Sequence, residues 1–152
     1  MRLRTLLVLL PLLSGCVIFS SAHGDLQEEL DSHRTMWDVA GITDYRIQFQ
    51  RLCLNCSVDF LIPVHITVRD GVIESVTDVD TGQPVDPEIV GTFPTIDQVF
   101  DLIQDAIDQD AAVIDVTYDG VLGYPNDADI DLSRSQINDD VGFEIRDFED
   151  LS

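Results

Sequence analysis

Val64-His65-Ile66-Thr67-Val68-Arg69-Asp70-Gly71-Val72-Ile73-Glu74-Ser75-Val76 is the stretch that decides the fold. Val64, Ile66 and Val68 alternate with His65, Thr67 and Arg69. A period of two puts apolar side chains on one face of a strand and polar ones on the other. Asp70-Gly71 is a pair that tolerates positive φ, so the chain is expected to reverse there in a tight hairpin and return as a strand over Val72 to Val79. The prediction is an antiparallel sheet with one apolar face that another layer has to cover.

Upstream, Tyr45, Ile47 and Phe49 alternate with Arg46, Gln48 and Gln50, which predicts a further half-buried strand. Before it, Asp25-Leu26-Gln27-Glu28 has the form of a helix start with Asp25 as cap. Leu26, Leu30, His33 and Trp37 recur at helical spacing to about residue 38, and Gly41 ends the helix. Downstream, residues 80–94 carry Gly82, Pro84, Pro87, Gly91 and Pro94 and predict a long irregular loop. Thr95-Ile96-Asp97-Gln98 is a second capping box. Ile96, Val99, Phe100, Ile103 and Ile107 form one apolar stripe over a helix at 96–109. Ile114, Val116 and Tyr118 alternate with Asp115 and Thr117. After a turn-rich segment from Asp119 to Asn126, Ala128, Ile130 and Leu132 alternate with Asp127, Asp129 and Asp131. Val141, Phe143 and Ile145 make a last strand. The order is αβββ, a long loop, then αβββ. The fold class is therefore α+β: one twisted, largely antiparallel sheet of about six strands with two helices packed on one face, in a single domain over residues 25–152.

The first residues carry a different message. Met1-Arg2-Leu3-Arg4 is a short basic region, and Thr5 to Leu13 is a short apolar one, the layout of a secretory signal. Leu13-Ser14-Gly15-Cys16 resembles the bacterial lipobox, where small residues admit the backbone to the peptidase and the cysteine thiol takes up diacylglycerol. Pro11, Ser14 and Gly15 interrupt the apolar run, which is short of the roughly 20 residues a membrane span needs. The expectation is a signal peptide over 1–15, lipid on Cys16, and a tether over 16–24. Stable anchoring takes more than one fatty chain, and the lipobox resemblance implies two or three. The expected location is the bacterial cell envelope. Val17, in place of Asp after the cysteine, implies the periplasmic side of the outer membrane in a Gram-negative cell.

Composition narrows the function. Without residues 1–15 the chain has 137 residues, enough for one domain with a real core. It holds six arginines, no lysine and 29 acids, which leaves −23, and aspartate outnumbers glutamate 23 to 6. Such a surface repels nucleic acid and anionic head groups. The acids are spread along the chain, as expected of a solvated surface. A concentration of them for cations or basic partners is the sharper alternative.

Several stretches together carry a resemblance. They are Asp44-Tyr45-Arg46, the cysteine pair after the first strand, Val68-Arg69-Asp70-Gly71, Thr81-Gly82, Pro94-Thr95-Ile96 with Phe100-Asp101-Leu102-Ile103, Asp115-Val116-Thr117-Tyr118-Asp119, and Leu122-Gly123-Tyr124-Pro125. In this order the chain resembles a domain-of-unknown-function family of bacterial envelope proteins, many of them lipoproteins. The resemblance implies fold and location and brings no activity.

Four sets of residues stand out for chemistry. Cys53 and Cys56 belong to an exported chain, where a disulfide is the default. Closing so small a ring stabilises by about 2 kcal/mol through loop entropy. Free thiols, a metal site and a redox pair are the alternatives. Zinc wants four ligands, and only His65 is at hand to join the pair. A redox pair needs a helix N-terminus that the strand-like flanks do not offer. Asp127, Asp129 and Asp131 share one face of a strand, with Asp139 and Asp140 beyond. They are weak candidates for a hard cation such as calcium. Leu132 and Asn138 stand where a calcium loop needs Gly and Glu, so the solvent face of an edge strand is the expected role. Arg46, His65 and Arg69, with Thr67 and the 80–94 loop, are the candidates for a binding surface. No nucleophile elbow, phosphate loop or His-Glu-x-x-His occurs. The expectation is a non-enzymatic accessory or binding module with no cofactor and an envelope protein as partner. A calcium-binding protein and a small periplasmic enzyme are the alternatives.

Overall fold

The computed structural model describes residues 22–53, 56–57, 61–133 and 140–152. Cys16, the signal peptide and the tether as far as residue 21 lie outside the described residues. The elements are α1 (Ala22–Ala40), β1 (Tyr45–Leu52), β2 (Val64–Arg69), β3 (Val72–Asp78), α2 (Pro87–Val90), α3 (Ile96–Asp108), β4 (Val113–Tyr118), β5 (Pro125–Asp131) and β6 (Asp140–Asp150). The six strands form one open sheet in the order β3-β2-β1-β6-β5-β4, and every neighbouring pair is antiparallel.

The hairpin forms where the sequence puts it. Arg69 is paired with Val72 across the turn, and Asp70 and Gly71 take φ of 49° and 73°. Two successive positive φ values match the right-handed twist of the flanking strands, and Asp and Gly tolerate them. The β4-β5 pair forms an equivalent ribbon in the second half. The long-range pairing of β1 with β6 then joins the two halves.

The apolar face is filled by Tyr45, Ile47, Phe49, Val64, Ile66, Val68, Ala128, Ile130, Phe143 and Ile145, all buried with Leu30 and Trp37 of α1 and the α3 stripe. Ile96, Val99, Phe100, Ile103 and Ile107 of that stripe are all buried. The Thr95–Gln98 capping box is intact in both directions. One further orphan donor of α3, the Ile96 N–H, is accepted by the Tyr45 hydroxyl at 2.9 Å. Trp37 donates its indole N–H to Asp97 at 3.1 Å and meets Tyr45, Tyr124 and Phe148 edge-on. This cluster ties the end of α1 and the start of α3 to the strand ends below them. His33 stays half-buried on the same stripe and stacks on Tyr118 at 4.1 Å.

Four local expectations need correction. Helix α1 covers Ala22–Ala40, so Asp25 lies in its first turn and does not cap it, and residues 22–24 are helical. The 80–94 loop is more ordered than its prolines suggest. Residues 83–85 run along β3, with a bridge between Thr77 and Pro84 and the Val85 N–H donating to Val76 O at 3.1 Å. Asp86 then caps the short helix α2, with Pro87 in its first turn. Strand β6 runs on to Asp150, past the Ile145 at which its alternation stops. A bulge opposite Ile47 is the cause: Arg46 faces Glu149 while Gln48 faces Arg146. The extra residue, with Asp147 at φ 49°, breaks the period of two and returns Phe148 to the apolar side. Finally, β5 is not an edge strand, because β4 lies outside it.

Candidate functional site

The polar face of the sheet divides into two halves. On β1, β2 and β3 the pairing sets Arg46 beside Thr67 and Gln48 beside His65, with Arg69 further along β2. The sequence candidates Arg46, His65, Thr67 and Arg69 therefore share one surface. The arginines are already occupied there. Arg46 meets Glu149 at 2.6 Å. Arg69 meets Asp44 at 3.1 Å and Glu74 at 3.9 Å and donates to Leu151 O at 3.2 Å. Asp44 also accepts the Asp70 N–H at 2.8 Å. That backbone donor first, and Arg69 second, hold the Asp44 carboxyl below its usual range. The 80–94 loop adjoins this surface through Pro84, which bridges to Thr77, the partner of His65, while the rest of the loop turns inward. Its Val85 and Phe93 are buried, and Phe93 stands edge-on to Phe49 on the apolar side at 6.3 Å.

The other half is acidic. Across β6, β5 and β4, Asp127 sits opposite Glu144 and Thr117, and Asp129 sits opposite Gly142 and Asp115. Asp131 sits opposite Asp140 and Val113. Like charges on facing rungs disfavour each other. Partial burial, then repulsion from Glu144, Asp115 and Asp129, pushes the Asp127 carboxyl up. Arg146 counters this only in part, since its guanidinium is bonded to Glu144.

Over this half lies an open groove of about 780 Å³. Asp127, Asp129, Asp131 and Asp140 line it together with Gln50, Leu52, Cys53, Leu61 and Val113. Leu52 and Val113 are 44% and 43% exposed, so the apolar rim is accessible. Gly142 forms part of the floor. A Cβ there would stand 2.8 Å from Leu52 O and 3.1 Å from Leu52 Cβ, so glycine is what lets β1 and β6 approach this closely. Cys53 and Cys56, joined as a disulfide with Cα atoms 5.7 Å apart, bring the end of β1 to the same rim. The fold thus gathers the cysteine pair and the aspartates in one place and leaves Arg46, His65 and Arg69 on the other half. Sequence reasoning missed Gly142, for which a lone Gly within an apolar-patterned strand was the available signal. It also missed Arg51, which donates to Thr92 O at 2.6 Å and lies over the Phe93 ring at 5.8 Å. Burial pulls its pKa down.

Among the described residues, no three His, Cys, Asp or Glu side chains converge in a group that could hold a metal ion. No helix among them is long and apolar enough to cross a membrane.

The chain belongs to DUF6174, a family of unknown function. The family model matches residues 29–150, so the DUF6174 region takes in the six strands, α2, α3 and most of α1, along with both halves of the polar face. No curated protein and no solved structure matches the chain.

Proposed function

We propose that this DUF6174 protein is a lipid-anchored, non-catalytic binding module of the bacterial cell envelope, and that the groove over β4, β5 and β6 is its recognition surface. The groove is the observation that carries the binding role. It is concave, its apolar rim is exposed, and its carboxylates repel one another. A binding partner gains by covering the rim and by relieving the repulsion. The arginine-bearing half is the weaker surface, because Arg46 and Arg69 would have to give up their own acids to engage a ligand. The anchor is supported by the basic and apolar leader followed by Leu13-Ser14-Gly15-Cys16.

Fractionation with mass spectrometry tests the anchor. The protein is expected in the membrane fraction with an acylated Cys16 as its N-terminus, and Cys16→Ser is expected to release it. A wild-type protein that starts after residue 20, or that stays soluble, contradicts the anchor. Photo-crosslinkers at Leu52 and at His65 test the surface. A crosslinked envelope protein is expected from position 52 and not from position 65. The reverse pattern overturns the choice of groove.

A further inference from the structure

The two edges of the sheet are finished differently. The β3 edge is covered, since residues 83–85 bridge to Thr77 and bond to Val76 and Asp78. Strand β4 pairs with β5 on one side, and among the described residues no strand pairs with its other side. Every second amide and carbonyl along β4 therefore points away from β5 with no ladder partner among the described residues, a template for one more strand. The side chains of β4 differ between its two faces. Val113, Asp115 and Thr117 are exposed on the polar face, and Ile114, Val116 and Tyr118 are only half-buried on the apolar face. The helices leave this last strand incompletely covered.

We propose that the free edge of β4 receives an extended segment of a partner protein in which basic and apolar residues alternate. The inference rests on the binding-module reading and names the chemistry of its partner. Added as a seventh strand, such a segment pairs its backbone with β4, as in other strand-addition complexes. On one face its apolar side chains extend the layer of Ile114, Val116 and Tyr118. On the other its Lys or Arg side chains lie beside Asp115, behind which Asp129 sits directly opposite on β5. Charge selects this occupant over a second copy of the chain. Two β4 edges meeting would bring Asp115 of each copy, with the Asp129 behind it, against like charge, which disfavours self-pairing. A basic strand meets no such barrier and relieves the repulsion already present.

The test is amide hydrogen exchange on the purified protein with the synthetic peptide Lys-Val-Lys-Val-Lys-Val-Lys as probe. Three controls accompany it: the Glu-Val counterpart, a version N-methylated at alternate backbone positions, and the protein alone in sedimentation. The lysine peptide is expected to slow exchange of amides within residues 113–117. The acidic peptide is expected not to bind. The N-methylated peptide, and the Asp115→Lys protein with the original peptide, are each expected to bind at least about tenfold more weakly. Equal binding of the N-methylated peptide would show charge adsorption without strand addition and overturn the proposal. So would protection elsewhere with none at 113–117. A dimer in sedimentation with residues 113–117 protected before any peptide is added would assign the edge to a second copy. The binding-module reading is tested separately by the crosslinkers at Leu52 and His65, so either reading can fail alone.

Discussion

The corner where Asp44 meets Arg69 and the rungs around Asp127 use the same side chain to opposite effect. Asp44 accepts a backbone N–H and faces a guanidinium, so the fold favours its charge. Asp127 is partly buried and faces Glu144 and Asp115, so the fold disfavours its charge. The first arrangement closes the turn between β2 and β3 onto the start of β1 and the C-terminus. The second holds Asp127 where its charge is disfavoured, and leaves a negative field over a groove. A surface with surplus charge of one sign attracts groups of the other. A surface whose charges pair internally attracts them less.

The largest effect is expected at the floor of the acidic half. Gly142→Val puts side-chain atoms into the Leu52 backbone and should cost about 1–3 kcal/mol, as overpacked sites do. Gly120→Ala, in open space in the turn between β4 and β5, should change little. Urea melting of the pair checks this, and equal losses would show that the close approach of β1 to β6 is not what constrains residue 142. Next is the rim. Opening the Cys53–Cys56 link by Cys53→Ser with Cys56→Ser should lose about 2 kcal/mol by loop entropy. Alkylation of the protein freshly isolated from cells, without reductant, should label neither cysteine. Full labelling of both would mean that the link does not form in the cell.

Salt should act more on the acidic half than on the paired corner. The Debye length falls from about 10 Å at 0.1 M to about 3 Å at 1 M, so repulsion among the rungs is screened and the melting temperature should rise through a sodium chloride series. Chelator, or millimolar calcium at fixed ionic strength, should add little. A flat sodium series with a sharp rise in calcium would make Asp127, Asp129 and Asp131 a cation site instead. The smallest effects come from single carboxylates, and they should differ in sign. Asp127→Asn should stabilise slightly, by less than about 0.5 kcal/mol, the usual ceiling for such surface changes. Asp44→Asn should destabilise. The pH response follows from the same directions. Asp127 has a raised folded pKa, so its charge weakens the fold at neutral pH and the cost is relieved as pH falls through that value. Asp44, Asp78 and Asp150 are held below 3.8, so their contribution is intact above 3.8 and is lost as pH falls through their lowered values. Thermal melts should therefore show a slight gain on mild acidification and a loss below 3.8.

Much of the fold could be read from local pattern because local physics decides it. Asp70-Gly71 turns as its tolerance of positive φ requires, and the Thr95–Gln98 box starts α3 as its reciprocal bonds require. What pattern could not supply is long-range. No period in Tyr45–Leu52 or Asp140–Asp150 says that these strands pair, and that pairing decides which residues become neighbours. Hence Arg46 and Arg69 read as candidates for a binding surface although Glu149 and Asp44 pair with them, and Asp127, Asp129 and Asp131 read as an edge although β4 lies outside them. The bulge at Asp147 hid Phe148 by breaking the alternation on which the reading relied. The groove was illegible for the same reason, since its walls come from β1, β4, β5 and β6 at once.

Carboxyl-detected NMR titration of Asp44 and Asp127 in the same sample tests the division of the sheet most directly. Asp127 is expected to titrate above the ordinary aspartate value of 3.8 and Asp44 below it, and raised salt should pull the two values toward each other. Coincident titrations, or the reverse order, would contradict the claim that one half of the sheet pairs its charges and the other leaves them in mutual repulsion, on which the proposed recognition surface rests.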